Sequence, residues 1–357
     1  MKKVFKYLIL TLVVALLAVV LFLSWITMTE YRPDKAVLLA DSTMLSNRML
    51  HRDTFNLISW NIGYAGLGSE MDFFYDHGTH VRSSQKNVRK HIDNIERFIK
   101  SNDSVDFWLI QEIDINSKRS WEINEVKEVS EMLHDRYQVV FAKNYDVPFV
   151  PVPVTHPLGH AQSGMLTASK HFFKEAVRFA FPLIAPWPQR LFLLHRCFVL
   201  LRFPLTNGHD LVIINTHNTA YVYDSVLRMK ELNIIKEKMT EEYAKGNYVV
   251  AGGDWNQNPP DFNPGNGFNG HRYVPAPLML AKNAFPYKWI VAYDNKAPTN
   301  RKNDKPFVKG RNGTTVIDFF VLSPNIDLLD AQNIDLNFQD SDHNPVYVKI
   351  RLKGFDN

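Results

Sequence analysis

Cysteine is nearly absent. Cys197 is the single one in 357 residues, so the chain has no internal disulfide framework. It sits in HRCFVLLRF, far from the N-terminal apolar run, which also excludes an N-terminal lipid-modified cysteine. A strong charge of either sign is missing as well. With Lys2, Lys3 and Lys6 set aside, 38 basic side chains face 37 acidic ones. A groove that holds a long nucleic acid carries a larger basic excess, so this balance argues against such a partner. No internal repeat and no low-complexity tract occurs, and no His/Cys pair has the close spacing of a zinc site.

What the chain has in quantity is apolar residues, 45% of the whole, enough for one large core or two ordinary domains. Lys2, Lys3 and Lys6 precede an uncharged stretch over residues 7–29, long enough to cross a bilayer core as a helix. It ends in LFLSWITMTEYRP, without the small-x-small site of a cleaved signal, and Trp25 and Tyr31 suit interfacial anchors. We expect residues 7–29 to be an uncleaved transmembrane signal anchor rather than a cleaved signal. The positive-inside rule then places residues 1–6 in the cytoplasm and everything after the span outside it, in a periplasm or at a cell surface. Residues 30–53 are polar and irregular and read as a linker to a domain over 54–357.

Short apolar runs recur from Phe55 onward: FNLISWNIG, DFWLIQEI, YQVVFAKN, SGMLTAS, RCFVLLRF, DLVIINTHN, NYVVAGGDWN, VIDFFVLS and NPVYVKIRL. Each has the length and the β-branched or aromatic content of a strand. SSQKNVRKHIDNIERFIKSN and DSVLRMKELNIIKEKMTEEYAKGN have helical periodicity, the second closed by Gly246 and Asn247; INEVKEVSEMLHDR is a weaker third. Strands mixed with helices without strict alternation predict a layered α+β or α/β sandwich.

Polar residues gather where these runs end. SWN gives Asn61, LIQE gives Glu112, and INTHN gives His217 and Asn218. GGDWN gives Asp254 and Asn256, VIDF gives Asp318, and SDHNPV gives Asp342 and His343. Taken alone, VVAGGDWNQN reads as a turn, because Gly, Asp and Asn are turn residues. The set says more. An oxygen-rich donor set with isolated imidazoles suits Mg²⁺, with Mn²⁺ as a substitute, ions that keep waters for a substrate phosphate.

In their order along 55–352, SWNIG, LIQEID, SGMLTAS, INTHN, GGDWN, IDFFVLS and SDHNPV resemble the endonuclease/exonuclease/phosphatase superfamily. Its members are similar to deoxyribonuclease I, neutral sphingomyelinases and inositol-polyphosphate phosphatases. The resemblance implies a deoxyribonuclease I-like four-layer α/β/β/α sandwich and metal-dependent hydrolysis of a phosphoester. It implies a metal held by Glu112, Asn61 and Asp342. Asp254 would orient or deprotonate the attacking water, and Asn256 would donate to a phosphoryl oxygen. Asp318 would hold His343, which donates to the phosphoryl oxygens, and His217 would stand near the scissile phosphate.

Departures from the superfamily's patterns narrow the substrate. Gly63 stands where apurinic endonucleases carry an acidic residue, and GTTVIDFFV lacks the Cys and Arg of the inositol-phosphatase signature. INTHN, with His rather than Tyr, is more similar to the sphingomyelinase and deoxyribonuclease branches. Arg82, Arg119, Arg190, His195 and Arg196 are candidates to line the cleft; we assign Arg119 and Arg196, with Asn218, to substrate binding. YDVPFVPVPVTHPLGH and FAFPLIAPWPQRLFLLH read either as loops tucked on the core or as an edge, with Phe149, Trp187 and Phe192, that meets lipid. The sequence therefore predicts a monomeric, membrane-anchored, Mg²⁺-dependent phosphodiesterase acting on a phospholipid or sphingomyelin-like headgroup. The alternatives are a nuclease acting on DNA or RNA and an inactive scaffold, which would be expected to lack one of Glu112, Asp254 and His343.

Overall fold

The computed structural model describes residues 1–41, 48–220, 225–264 and 268–355. Asp224, the expected start of the second helical stretch, lies outside the described residues, as do 42–47 of the linker and 356–357 of the domain. Helix α1 (Lys2–Met28) comes first, followed by strands β1 (Ala36–Asp41) and β2 (Thr54–Asn61). Helix α2 (Gln85–Ser101), strand β3 (Phe107–Asp114) and helix α3 (Glu125–Leu133) lead into β4 (Gln138–Val150), β5 (Gly159–Ser169) and β6 (Glu175–Ala180). Strands β7 (Cys197–Pro204) and β8 (Asp210–His217) precede helix α4 (Ser225–Ala244), and β9 (Tyr248–Asp254) and β10 (Ile290–Ala292) follow it. The short pair β11 (Asn300–Arg301) and β12 (Thr314–Thr315) is followed by β13 (Asp318–Leu322), β14 (Ile326–Asn333) and β15 (Val346–Leu352).

Among the described residues two large sheets form, ordered β1-β6-β7-β8-β9-β13-β10 and β14-β15-β2-β3-β5-β4, beside the two-stranded β11-β12. Side chains alternate along each strand, so Phe55, Leu57, Phe107 and Leu109 of one sheet meet Val199, Leu201, Ile213, Val250 and Phe320 of the other. The residues between them face outward. Ile58, Trp60, Trp108 and Ile110 pack under α2 and α3, and Leu200, Val212, Ile214 and Phe319 pack under α4. Burying each such side chain contributes about 1.5–3 kcal/mol, so both faces of both sheets must be covered. The result is the expected four-layer α/β/β/α sandwich.

Helix α2 buries Val88, Ile92, Ile95 and Ile99, the spacing of one helical stripe, and Ser84 Oγ caps it by accepting from the Asn87 amide at 3.2 Å. The stretch containing α4 stops at Gly246, whose φ of 87° ends the helix as the sequence signal implies. The segment read as a linker is only partly that. Ala36–Asp41 forms β1, pairs antiparallel with β6 at one edge of the sheet, and extends the folded domain toward α1. The first proline-rich stretch begins as strand, because β4 runs through Pro148 to Val150, and turns over 151–158 before β5.

β9 carries two glycines just before its last residue, Asp254, and they answer the turn reading. A Cβ on Gly253, where φ is 148°, would stand 2.0 Å from the Thr216 carbonyl oxygen, a backbone atom of the paired strand. We expect Gly253→Ala to lower the unfolding free energy by about 1–3 kcal/mol, the usual cost of overpacking. Urea titration of the two proteins checks this, and an unchanged midpoint would mean that β8 and β9 are not this close.

Helix α1 has 27 residues, about 40 Å at its 1.5 Å rise, against a bilayer core of about 30 Å. Thr11 and Thr27 return their hydroxyls to the carbonyls of Tyr7 and Leu23 at 2.9 and 2.6 Å. Length and composition make α1 a candidate membrane anchor or signal sequence.

Candidate active site

The inward rows that build the core turn polar at one end. Asn61, Gln111, His217, Asp254 and Asp318 each continue an inward row, two residues from Ser59, Leu109, Asn215, Gly252 and Phe320 on the same strand. Parallel pairing sets Asn61 opposite Gln111 and His217 opposite Asp254. β13 runs antiparallel to β9, so Asp318 opens its strand where the others close theirs, and it pairs with Asp254. Glu112 joins them through a β-bulge, with the register slipping between Gln111 and Ile113 and a φ of 51° at Glu112. A left-handed non-glycine residue costs on the order of 1–3 kcal/mol. That strain turns Glu112 away from the helix-side row of Trp108, Ile110 and Ile113 and toward the cleft.

The two sheets meet through side chains. Asn61 Nδ2 donates to Asp254 Oδ2 at 3.0 Å and to Glu112 Oε1 at 3.3 Å, and its own oxygen accepts from the Gly63 amide at 3.0 Å. His217 Nε2 lies 3.5 Å from both Glu112 Oε1 and Asp254 Oδ2. Burial pushes the His217 imidazole well below its ordinary range, and the nearby charges of Arg196, His343 and Arg119 push the same way, so the ring is neutral. Burial, then the neighbouring Asp318, raises the Asp254 carboxyl to about 6. His343 behaves oppositely. Burial opposes its charge, but Asp318, whose Oδ2 lies 2.8 Å from Nδ1, dominates with Asp254 and Asp342 and lifts the ring to about 10.

Around this centre the assigned residues divide. Asn256 donates its backbone amide to Asp254 Oδ1 at 2.9 Å and its side chain to the Asn218 carbonyl at 2.9 Å. Asn218 accepts from Thr216 Oγ1 at 2.6 Å, while its own Nδ2 is buried without a partner among the described residues. Arg196 precedes Cys197, which pairs with His217, and its Nη1 is likewise buried and without a partner among the described residues. Both are donors available to an anion. Arg119 differs: its guanidinium forks onto Asp114 at 2.9 and 3.1 Å and covers the Tyr64 ring at 3.7 Å. It shapes the electrostatics of the cleft with two of its nitrogens already engaged. Arg82 bonds the Pro157 carbonyl, Arg190 pairs with Glu30, and the His195 ring meets Tyr31 edge-on at 5.6 Å, so these three side chains are engaged away from the centre.

Four residues had no sequence signal. Asn303 donates to Asp342 Oδ2 at 2.6 Å, and the Asn300 amide lies 2.9 Å from His343 Nε2. Tyr273 donates to Asn300 Oδ1 at 2.5 Å. Arg301, fully buried, donates to the carbonyls of Leu67, Gly68 and Met71 and holds that loop against the site. Beneath the cleft, Gln111 Nε2 crosses between the sheets to Asn215 Oδ1 at 2.7 Å, and Asn215 donates to Thr167 Oγ1 at 3.1 Å.

Among the described residues, Asp254, Asp318 and His343 have ligand atoms mutually within 4.8 Å and form a group that could hold a cation. This is not the set assigned to metal. Nδ1 of His343 is engaged by Asp318 and the ring is charged, which repels a cation. The chemistry suits a cation better near Glu112 and Asp342. Burial raises the Asp342 carboxyl and Glu112 adds to that rise, against His343, and the imidazole facing Glu112 is neutral. Oxygen donors crowding in this way fit a hard divalent ion.

The sequence matches the family model described as "Endonuclease/Exonuclease/phosphatase family" over residues 58–343. No curated protein matches. Among solved structures, an endonuclease/exonuclease/phosphatase from Beutenbergia cavernae DSM 12333 is 17% identical with a TM-score of 0.58, covering 85% of this chain and 72% of that one. One from Bacteroides vulgatus is 16% identical with a TM-score of 0.54, covering 84% and 99%. TDP2 from D. rerio, complexed with a single-strand DNA product, is 14% identical with a TM-score of 0.52, covering 84% and 99%. These likenesses are of fold.

Proposed function

The chain belongs to the endonuclease/exonuclease/phosphatase family, enzymes of phosphoester hydrolysis, and on that premise we propose a membrane-anchored phosphodiesterase that uses Mg²⁺ on a phospholipid or sphingomyelin-like headgroup. One observation carries this reading. Asn61 and Glu112 from one sheet meet His217 and Asp254 from the other in one cleft, with a charged His343 beside them.

Asp254 is held from both sides, by Asn61 and by the Asn256 amide, and its carboxyl, raised to about 6, suits a base near neutral pH. It takes the proton of the attacking water. The charged His343 ring, its tautomer fixed by Asp318, donates toward the phosphoryl oxygens as their negative charge builds. Asn218 Nδ2 and Arg196 Nη1, both without an acceptor among the described residues, serve the same oxygens. Neutral His217 stands beside the leaving group and brings no competing charge. Glu112, Asn61 and Asp342 would hold Mg²⁺, which when bound neutralises phosphoryl charge. The three lysines in the first turns of α1, ahead of its uncharged stretch, favour a cytoplasmic N-terminus and a catalytic domain outside the cytoplasm.

The full-length protein with Mg²⁺ is to be assayed in parallel on sphingomyelin, phosphoinositides, DNA and RNA. Headgroup release from a lipid should exceed cleavage of either nucleic acid. EDTA should abolish turnover, and Glu112→Ala should raise the Mg²⁺ concentration needed for half-maximal rate. Faster cleavage of DNA or RNA would establish the nuclease reading instead. Full activity after exhaustive chelation would overturn the metal, and inertness on all four substrates would favour a scaffold.

A further inference from the structure

The end of α1 is packed into the domain. Ile26 is 1% exposed. The Phe22 ring meets Phe149 edge-on at 6.1 Å and stacks on Phe192 at 6.3 Å. Trp187 Nε1 donates to Thr27 Oγ1 at 3.2 Å, and Glu30, its side chain 5% exposed, receives Arg190 at 3.3 Å. Removing α1 would uncover Phe149 and Phe192, so these contacts suit a helix that is kept.

The same two segments also carry exposed apolar side chains. Val154 is 88% exposed, Trp187 54%, Ile184 47% and Val152 40%. Trp187 lines a crevice with Val20, Leu23, Ser24, Thr27 and Met28, which places it beside the last turns of α1. About 20 residues fill a bilayer core. Counted from residue 7, Val20 and Leu23 fall inside that core, with Trp187 alongside them at the boundary.

We propose that the turn 151–158 and the segment 181–194 form an apolar rim that enters the leaflet around the end of α1 and seats the cleft at headgroup height. The occupant of this surface is the bilayer that α1 crosses, because the rim is continuous with that helix. The proposal rests on the reading of α1 as a retained anchor. A short path joins the rim to the site. Phe192 stacks on Phe22, its carbonyl accepts from Tyr145 at 3.2 Å, and the Tyr145 ring lies 5.9 Å from the Arg119 guanidinium, whose charge acts on His217. A cleft fixed there faces phosphoesters carried by lipids of its own leaflet.

Cys197 is fully buried, so single cysteines introduced at exposed positions can be labelled selectively. Val154→Cys, Ile184→Cys and Tyr287→Cys full-length proteins are labelled with an environment-sensitive fluorophore and reconstituted in phosphatidylcholine vesicles. Tyr287 precedes β10, at the opposite edge of the sheet from β1. Bromolipid should quench the labels at 154 and 184 about twofold or more, as for side chains set into the acyl boundary, while aqueous iodide quenches only the label at 287. Labels at 154 and 184 as open to iodide as that at 287, in a protein that resists carbonate extraction, overturn the seating and leave the anchor standing. Release by carbonate overturns the anchor, and the seating with it.

Discussion

Asp254→Asn is expected to lower kcat by about 10²–10⁴-fold, the range for loss of a general base, with a much smaller rise in KM. The substitution keeps the shape and the Asn256 contact but cannot accept a proton from water, so the loss falls on the transition state. Stability should move the other way. Asp254 and Asp318 are buried, paired across strands and mutually repulsive, so neutralising one relieves the fold. We therefore expect the thermal midpoint of Asp254→Asn to equal or exceed that of the parent. A residue that merely shaped a turn would do the reverse, lowering stability and leaving turnover per folded molecule intact. Turnover within about threefold of the parent, far short of the general-base range, would sink the mechanism.

His343→Ala should be comparably severe, about 10²–10³-fold in kcat, the usual loss on removing a preorganised donor to a developing oxyanion. Asp318→Asn should be milder, because the ring stays but loses the partner that fixes and charges it. Its distinguishing readout is the ¹⁵N spectrum of His343. Both ring nitrogens should report a charged imidazole at neutral pH in the parent and a neutral one in Asp318→Asn. A ring that stays charged without the Asp318 carboxylate would show that Asp318 is structural only. Turnover is normalised to folded protein by near-ultraviolet circular dichroism.

The sandwich was legible because most of its strands are short, continuous apolar runs buried on both faces, and the site because polar residues appear where those runs end. Asn61, His217 and Asp254 sit where the period-two pattern of their own strand places them. Glu112 was found by residue type, yet its left-handed bulge has no local signature, since the slip appears only against β5. Asn300, Asn303 and Tyr273 lie where the chain shows no periodicity, and only the fold brings them to Asp342 and His343. β1 was missed for a related reason. AVLLAD is short, and its partner Glu175–Ala180 is far along the chain. Arg119 was placed near the cleft by its charge, but its fork onto Asp114 depends on a loop conformation that spacing does not reveal.

The amide bridge from Gln111 to Asn215 has a mechanical meaning. Apolar faces slide over one another at little cost, and each half of the cleft rides on a different face. A shift of a single residue along a strand is about 3.3 Å, more than the 3.0 Å that separates Asn61 from Asp254. The two amides, with Ser59 and Thr167 beside them, act as an indexing pin that lets the layers close in one alignment only. A protein with Leu at both positions could keep its core and its melting point while losing the alignment on which the chemistry depends.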